Sequence, residues 1–577
     1  MSGCLIQLIR RFRILALVCA LAVLACELIS RPYVNMGVAD DWPYVVSAQA
    51  LAATGHIVYN GWAAPILGWQ LYLGAAFIKL FGFSLTTVRM STLLVAMVMA
   101  FTLQRTLVRA NINERNATIG TLALVLSPLY LMMSVTYMTD IYGLFAIVLC
   151  LYGCLRALQA SSSRAAIGWI CFAVAGNAIC GTSRQLGWLG VLVMVPSTLW
   201  LLRARRRVFL AGVAANLAGA GFVFACIHWF SKQPYTIPEH LLVDSFPLAH
   251  TLGSIAYFFL DFPFLLLPIA ALFIPRIFKS RPRVIAILAA FSLGYVLLAI
   301  HWRHLHPGVL LEPTMRDWVN VHGIFEGIDL QGTPPIFLGS GVRVLLTILS
   351  LGGLIGLIAS WFSTQPSPSA SDSPSPISWK QLGMLLAPFT IAYTLLLIPR
   401  AASSVIYDRY ALGLLVVAVL CLVRYYQDRI HPSLPLAGLL LVGIMATYGV
   451  AATHNMFSLY RARVTVAAEL RSAGIPDTSV DNGWEYNLGV ELQHSDHINE
   501  SSIVVPANTY VPAPPLDPGT CPMHSSDQTP HVRPLYGVSF DPDACYGPAP
   551  FAPIAYSRWL AASPGILYVV RYTASSK

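Results

Sequence analysis

Charge is scarce in this chain: of 577 residues only 11% are Asp, Glu, Lys or Arg, against about 25% in a soluble domain. An ordinary soluble globule is thereby excluded. A Walker loop, a dinucleotide fingerprint and a paired CxxC are also missing, so nucleotide-sugar and redox chemistry have no local support. No basic face with interleaved aromatics occurs, which sets nucleic acid aside as a partner despite a formal net charge of +10. There is no convincing tandem repeat. What is present is apolar: 56% hydrophobic residues and a mean hydropathy of +0.65 describe a polytopic membrane protein.

Orientation follows from where Arg and Lys fall. Arg10, Arg11 and Arg13 precede an apolar run from Ile14 to Ile29, which reads as an uncleaved signal anchor with a cytoplasmic N-terminus. Val23-Leu24-Ala25-Cys26 resembles a lipoprotein cleavage box, but Leu24 fits it poorly. Further apolar runs lie near 65 to 82, 85 to 108, 117 to 136, 141 to 158, 165 to 182, 186 to 202, 208 to 230, 253 to 275, 284 to 302, 341 to 362, 381 to 399, 407 to 426 and 435 to 453. If all crossed, the cluster of Arg203, Arg205, Arg206 and Arg207 would lie outside. Treating 65 to 82 as interfacial or re-entrant places that cluster in the cytoplasm. It does the same for Arg105, Arg109, Arg115, Arg156, Arg164, Arg276, Lys279, Arg281, Arg283, Arg424 and Arg429, as the positive-inside rule requires. The expectation is a mainly α protein with thirteen spans, its C-terminus outside, in the inner membrane of a bacterium.

Four regions are expected. Residues 1–362 form the catalytic membrane part, and 363–380 a Pro/Ser-rich cytoplasmic linker centred on Gln365 to Pro376. Residues 381–454 hold the last spans. Residues 455–577 make a small extracytoplasmic α/β domain that opens with an amphipathic helix, Leu459 to Ala473, and contains β-branched runs such as Ser502 to Val505 and Ile566 to Val570. Nine of the eleven cysteines lie in or beside apolar spans, where a free Cys behaves as a small hydrophobe. Cys521 and Cys545 stand apart in the tail, and an oxidising outer compartment makes a disulfide between them the expectation.

Asp40 and Asp41 follow the first span. An aspartate persists near hydrocarbon only where it is solvated, paired or used. Trp42-Pro43-Tyr44 and the amphipathic stretch Val45 to Ala53 follow, ending at Gly55, so the pair opens a short interfacial helix. It could simply cap that helix. Asp140, at the outer start of a later span, could likewise be a cap. Together the three carboxylates supply what glycosyl transfer needs, a base for the acceptor hydroxyl and groups to hold it.

The ordered motifs Asp40-Asp41-x-x-Tyr44, Ala50-Leu51, Gly55, Pro65, Leu80-Phe81-Gly82, Arg89, Ser127-Pro128 and Asp140 resemble the GT-C superfamily of polyprenyl-phosphate-sugar-dependent glycosyltransferases. The resemblance is to the branch of protein O-mannosyltransferases and lipid A aminoarabinose transferases. It covers roughly the first 200 residues, and returns at Asp408-Arg409-Tyr410 and at Asp481 to Asn487. It implies a GT-C type membrane fold with jutting interfacial helices in the first outer loop. It implies a polyprenyl-phosphate-linked donor, a lipid, glycan or protein acceptor, Asp40 as general base, and Asp41 and Asp140 as positioning groups. Aminoarabinose transferases carry a Lys just before the proline of the first loop, where this chain has Ala64 before Pro65. Another cation must then meet the phosphate: Lys79, Arg89, Arg184 or, as first choice, Arg409, unless Arg409 only snorkels or pairs with Asp408. A monophosphate leaving group held by Arg requires no divalent ion, so no cofactor is expected.

Three further signals carry less. His301, His304 and His306 suggest zinc, but no Cys or carboxylate completes the ligand set and an interfacial belt suits them better. His494, Asp496 and His497 suit a solvated loop. A secondary transporter or flippase is the rival function, and its site would lie near the bilayer midplane rather than at the outer mouth.

Overall fold

The computed structural model describes residues 13–62, 65–237, 246–280, 282–303, 311–315, 317–324, 329–363, 377–403 and 406–573. The Gln365 to Pro376 linker, Arg10, Arg11, Ala64, His304 and His306 lie outside these residues. Helices dominate, and among the described residues nine are long and apolar enough to cross a membrane. The protein is a multi-pass membrane protein. The other four expected spans fall on less regular elements. Three are shorter apolar helices, Ile14–Ser30, Gln185–Leu201 and Pro282–Tyr295. The fourth is the pair Glu114–Val125 and Pro128–Ser134, bent by 71°. That bend has a local cause: Pro128 has no backbone N–H and holds Ser127 extended, and the Ser127 hydroxyl starts a new helix by accepting from Tyr130 N.

Side-chain caps set several of these boundaries. Ser84 accepts from Thr87 N at 3.0 Å, Asn113 from Asn116 N at 2.9 Å and Ser162 from Ala165 N at 3.2 Å. The 65 to 82 run forms a helix, Gly68–Phe81, of 14 residues. At about 1.5 Å per residue it is far short of a hydrocarbon core of about 30 Å. It lies against the body instead: Trp69 Nε1 donates to Cys180 O at 2.8 Å, and Gln70 Nε2 donates to Tyr137 O at 2.8 Å.

At the C-terminal end the expectation needs correcting. No separate amphipathic helix opens at Leu459. The last apolar run and that segment form one helix, Leu436–Ser472, of 37 residues, because nothing between Thr453 and Leu459 breaks it. Beyond it stands a four-stranded sheet in the order β3-β4-β6-β5: β3 Val480–Asp481, β4 Tyr536–Ser539, β5 Ile554–Tyr556 and β6 Gly565–Arg571. β3 and β4 are parallel and the other pairs antiparallel. Ile566 to Val570 lies in β6 as expected. Ser502 to Val505 is not a strand; Val505 O accepts from Tyr235 N at 2.7 Å, tying the tail to the loop after the Arg206–Phe230 helix. A two-stranded hairpin, β1 Val319–Asn320 with β2 Gly323–Ile324, lies in an earlier loop. Cys521 and Cys545 are joined in a disulfide.

Candidate functional site

The acidic pair divides its labour. Asp41 is fully buried and opens the helix Asp41–Thr54. Its Oδ2 accepts from Arg89 Nε at 2.6 Å and from Tyr137 N at 3.2 Å. Its Oδ1 accepts from Val38 N at 2.8 Å and Arg89 Nη2 at 3.1 Å. Arg89, equally buried, also donates to Val34 O and Met36 O. This is a sealed clamp that fixes the turn before the helix. Asp41 has no exposed oxygen to position a sugar, as the resemblance implied it would, and Arg89, one of the cations offered for the phosphate in place of the missing Lys, has its guanidinium already engaged.

Asp40 is different. It occupies the N-cap position but its side chain caps nothing. The carboxylate is 20% exposed, and Oδ2 accepts from Arg409 Nη2 at 3.4 Å. Burial pushes its carboxyl above the usual carboxylate range, Arg409 pulls it back, and Glu485 and Asp140 push it up again. A base with a raised pKa in a partly open site is suited to receiving a proton.

Arg409 enters on the turn Asp408–Ala411, where the span Asp408–Arg429 begins. Its guanidinium carbon lies 4.7 Å from the ring centre of Tyr407, 5.4 Å from Trp318 and 5.7 Å from Tyr410. Among the described residues its buried Nε has no partner. The aromatic rings hold the cation in place without neutralising it.

Asp140 is the first residue of the helix Asp140–Leu158, and its Oδ1 pairs with Arg184 Nη1 at 2.7 Å. Its Oδ2 is buried without a partner among the described residues. Arg184 also donates to Thr139 Oγ1 at 3.1 Å and lies 4.9 Å from the Tyr410 ring centre. Tyr410 thus has a guanidinium of each arginine near its ring. The approach of Arg184 depends on Gly143, where a Cβ would come within 2.9 Å of the Arg184 Cβ. Tyr44, on the same helix as Asp41, is buried beside this group and feels Asp40, Arg409, Arg184 and Asp140; burial and the carboxylates push its phenol up.

Asp40, Asp140, Arg184 and Arg409 therefore converge. Lys79 does not join them: it is exposed in the last turn of the Gly68–Phe81 helix.

Asp317, which the sequence reading passed over, and Glu485, which it gave no role, belong to the surroundings. Asp317, just before β1, feels Arg409, Asp40 and Asp408, and burial pushes it up to about 6. Asp408 Oδ2 accepts from Val319 N at 2.8 Å, which ties the hairpin loop to the base of Arg409. Glu485, in the first turn of the helix Trp484–Ser495, pairs with Arg463 Nη2 at 3.0 Å and accepts from Tyr460 Oη. The Asp481 to Asn487 motif was a signal for Glu485. Asp317 has none, since a lone carboxylate in a long loop follows no spacing.

Among the described residues the histidines form no comparable cluster. His497 lies against Tyr235 with ring centres 5.0 Å apart, and His494 stacks on His531 at 5.8 Å. Among the described residues no group of three or more His, Cys, Asp or Glu could hold a metal ion.

No family model matches the chain, and no curated protein matches it in sequence. Solved structures do. ArnT from Cupriavidus metallidurans bound to undecaprenyl phosphate is 14% identical, over 97% of this chain and 98% of that one, with a TM-score of 0.39. The oligosaccharyltransferase of Archaeoglobus fulgidus is 13% identical, over 90% of this chain and 64% of that one, at 0.41. The Saccharomyces cerevisiae protein O-mannosyltransferase Pmt1-Pmt2 complex bound to the sugar donor is 16% identical, over 38% and 33%, at 0.29. These are GT-C glycosyltransferases, the superfamily that the sequence resembles. At such scores the likeness carries no weight for the chemistry, which rests on the residues described above.

Proposed function

We propose that the protein is an inverting membrane glycosyltransferase of GT-C type, moving a sugar from a polyprenyl monophosphate to a hydroxyl of a lipid, glycan or protein acceptor. One observation carries this reading: a partly exposed carboxylate, Asp40, stands 3.4 Å from an aromatic-boxed arginine, Arg409, whose Nε has no partner among the described residues. Asp40 takes the acceptor proton as that oxygen bonds to the anomeric carbon. The bond from carbon to the phosphate oxygen breaks, its electron pair leaving with the polyprenyl phosphate, and the configuration inverts. Arg409 and Arg184 stabilise the departing charge. Asp140 holds Arg184 and keeps one oxygen for a sugar hydroxyl. Two guanidiniums supply the positive charge, so the scheme calls on no divalent ion.

The place of these groups favours a transferase over a transporter. Asp140 and Arg409 lie in the first turn of their helices, at a membrane mouth, whereas a transporter site sits near the midplane. The same reading takes every run but 65 to 82 as a span, thirteen in all, with the N-terminus and residues 203–207 cytoplasmic and residues 455–577 as an outer domain in a bacterial inner membrane. The test is transfer by the purified chain from a synthetic polyprenyl monophosphate sugar, with acceptors found by mass spectrometry of surface glycans from cells with and without it. Lipid-linked sugar that crosses the membrane without being transferred would replace this reading with the transporter.

A further inference from the structure

The turn that carries Arg409 is tied to a second piece of chain through acids. Asp408, immediately before Arg409, is 1% exposed, and its Oδ2 accepts from Val319 N at 2.8 Å. Between Val319 and Asp317 stands Trp318, whose buried ring centre lies 5.4 Å from the Arg409 guanidinium carbon. Segments 317–319 and 408–409 are thus laid side by side.

The remaining carboxylate oxygens do not fit two ionised acids. Asp408 Oδ1 and Asp317 Oδ2 are both buried, and neither meets a donor among the described residues. The two side chains are within hydrogen-bond reach of each other. Two negative charges there would repel and leave both oxygens unmet. A single proton between them satisfies both at once and leaves the pair one negative charge. The other charged groups accommodate one such charge and oppose a second: Asp317 faces Arg409 and Asp40, and Asp408 faces Asp261 at the end of the Leu248–Leu260 helix.

We propose that Asp317 and Asp408 hold one proton between them, and that this acid pair is a positioning device that keeps the Arg409 guanidinium set for the phosphate of the lipid-linked donor. Loss of the proton turns an attraction into a repulsion, loosens Trp318 from the guanidinium and lowers donor affinity. Burial pushes Asp317 up to about 6, so the pair is intact in acid and opens as pH rises through that value. The donor half of the proposal rests on the transferase reading; the shared proton does not.

Binding of a synthetic polyprenyl monophosphate sugar, a phosphodiester of constant charge from about pH 5 to 8, tests the donor half. It is measured on the full chain carrying Asp40→Asn, which removes turnover and the titration of that carboxyl. Affinity should fall about tenfold as pH rises through the window, the range of one charge-assisted hydrogen bond. Adding Asp317→Asn should leave affinity high and flat, because the amide donates to Asp408 Oδ1 at every pH. Asp317→Ala should bind weakly throughout. Infrared difference spectra with isotope-labelled aspartate read the proton without any donor: an acid band present at about pH 5 should vanish by about pH 8 and be missing from Asp317→Asn. An Asp317→Asn chain that keeps the pH slope of its parent, or the acid band, overturns the proposal. If the parent binds no donor at any pH while the band behaves as expected, the transferase reading fails, and the donor half falls with it while the acid pair stands.

Discussion

Asp140 and Arg184 meet at 2.7 Å through one carboxylate oxygen, and the other oxygen of Asp140 is buried with no partner among the described residues. Leaving a buried acceptor unmet costs about 1–3 kcal/mol, so the pair is built with one open position. Asp140→Asn should keep Arg184 in place through Thr139 yet weaken turnover about 10-fold or more, in the range of a lost charge-assisted contact. Steady-state transfer kinetics with a lipid-linked donor measure it, and unchanged kcat and KM would leave Asp140 a mere helix-end residue.

Asp40→Asn removes the base but keeps the shape. Transfer should fall by about 10² to 10⁴, while donor binding, followed by retention of radiolabelled carrier, should persist. If Asp40 only shaped the helix end, activity would be retained with a stability loss of about 1 kcal/mol or less.

Arg409→Lys tests the fork against the point charge. Lysine keeps the sign but cannot present two donors in one plane, so donor KM should rise and kcat fall. Arg409→Ala should be worse on both counts. Equal kinetics for wild type and Arg409→Lys would assign the leaving phosphate elsewhere.

The Asp41–Arg89 clamp gives an opposite expectation. Breaking a buried ion pair on one side costs about 3–5 kcal/mol, so Arg89→Met should lower the melting temperature in detergent sharply. Its activity per folded molecule should stay near wild type at permissive temperature. A stable Arg89→Met protein that has lost donor affinity would instead restore Arg89 to phosphate binding.

For Asp317 the sign follows from its folded pKa of about 6, above the ordinary 3.8. Between those values the unfolded chain has released the proton that the native state still holds, so native stability falls as pH rises through this window. Asp317→Asn should flatten that part of the stability profile. Parallel melting curves from pH 4 to 7 decide it, and identical slopes for wild type and variant would contradict the shift.

Much of the membrane architecture was legible because hydrocarbon permits so few solutions. Apolar run length located the nine helices long and apolar enough to cross, and the placing of Arg alone demoted the 65 to 82 run, where the structure has only the 14-residue helix Gly68–Phe81. Motif order pointed to Asp40, Asp140 and Arg409, and Arg184 came in only as one of four cations offered for the phosphate. What remained hidden depends on three-dimensional pairing. The resemblance named Asp40 as base and Asp41 as a positioning group, but nothing in the sequence said that Arg89 reaches Asp41 and closes it off. Nor could it find Asp317, whose relevance comes from loop packing, or the fusion of the last span with Leu459 to Ala473, because a helix that leaves the membrane keeps its hydrogen bonds while its composition changes.

That fusion sets the phase between membrane and tail. The Leu436–Ser472 helix carries an apolar groove near one end and, further along, Tyr460 and Arg463, which grip Glu485 beside Asp40. A rigid helix transmits rotation as well as position, about 100° for each residue added. The tail is therefore geared to the last span, and one residue inserted between Thr453 and Leu459 would swing Glu485 out of alignment with the rest of the site.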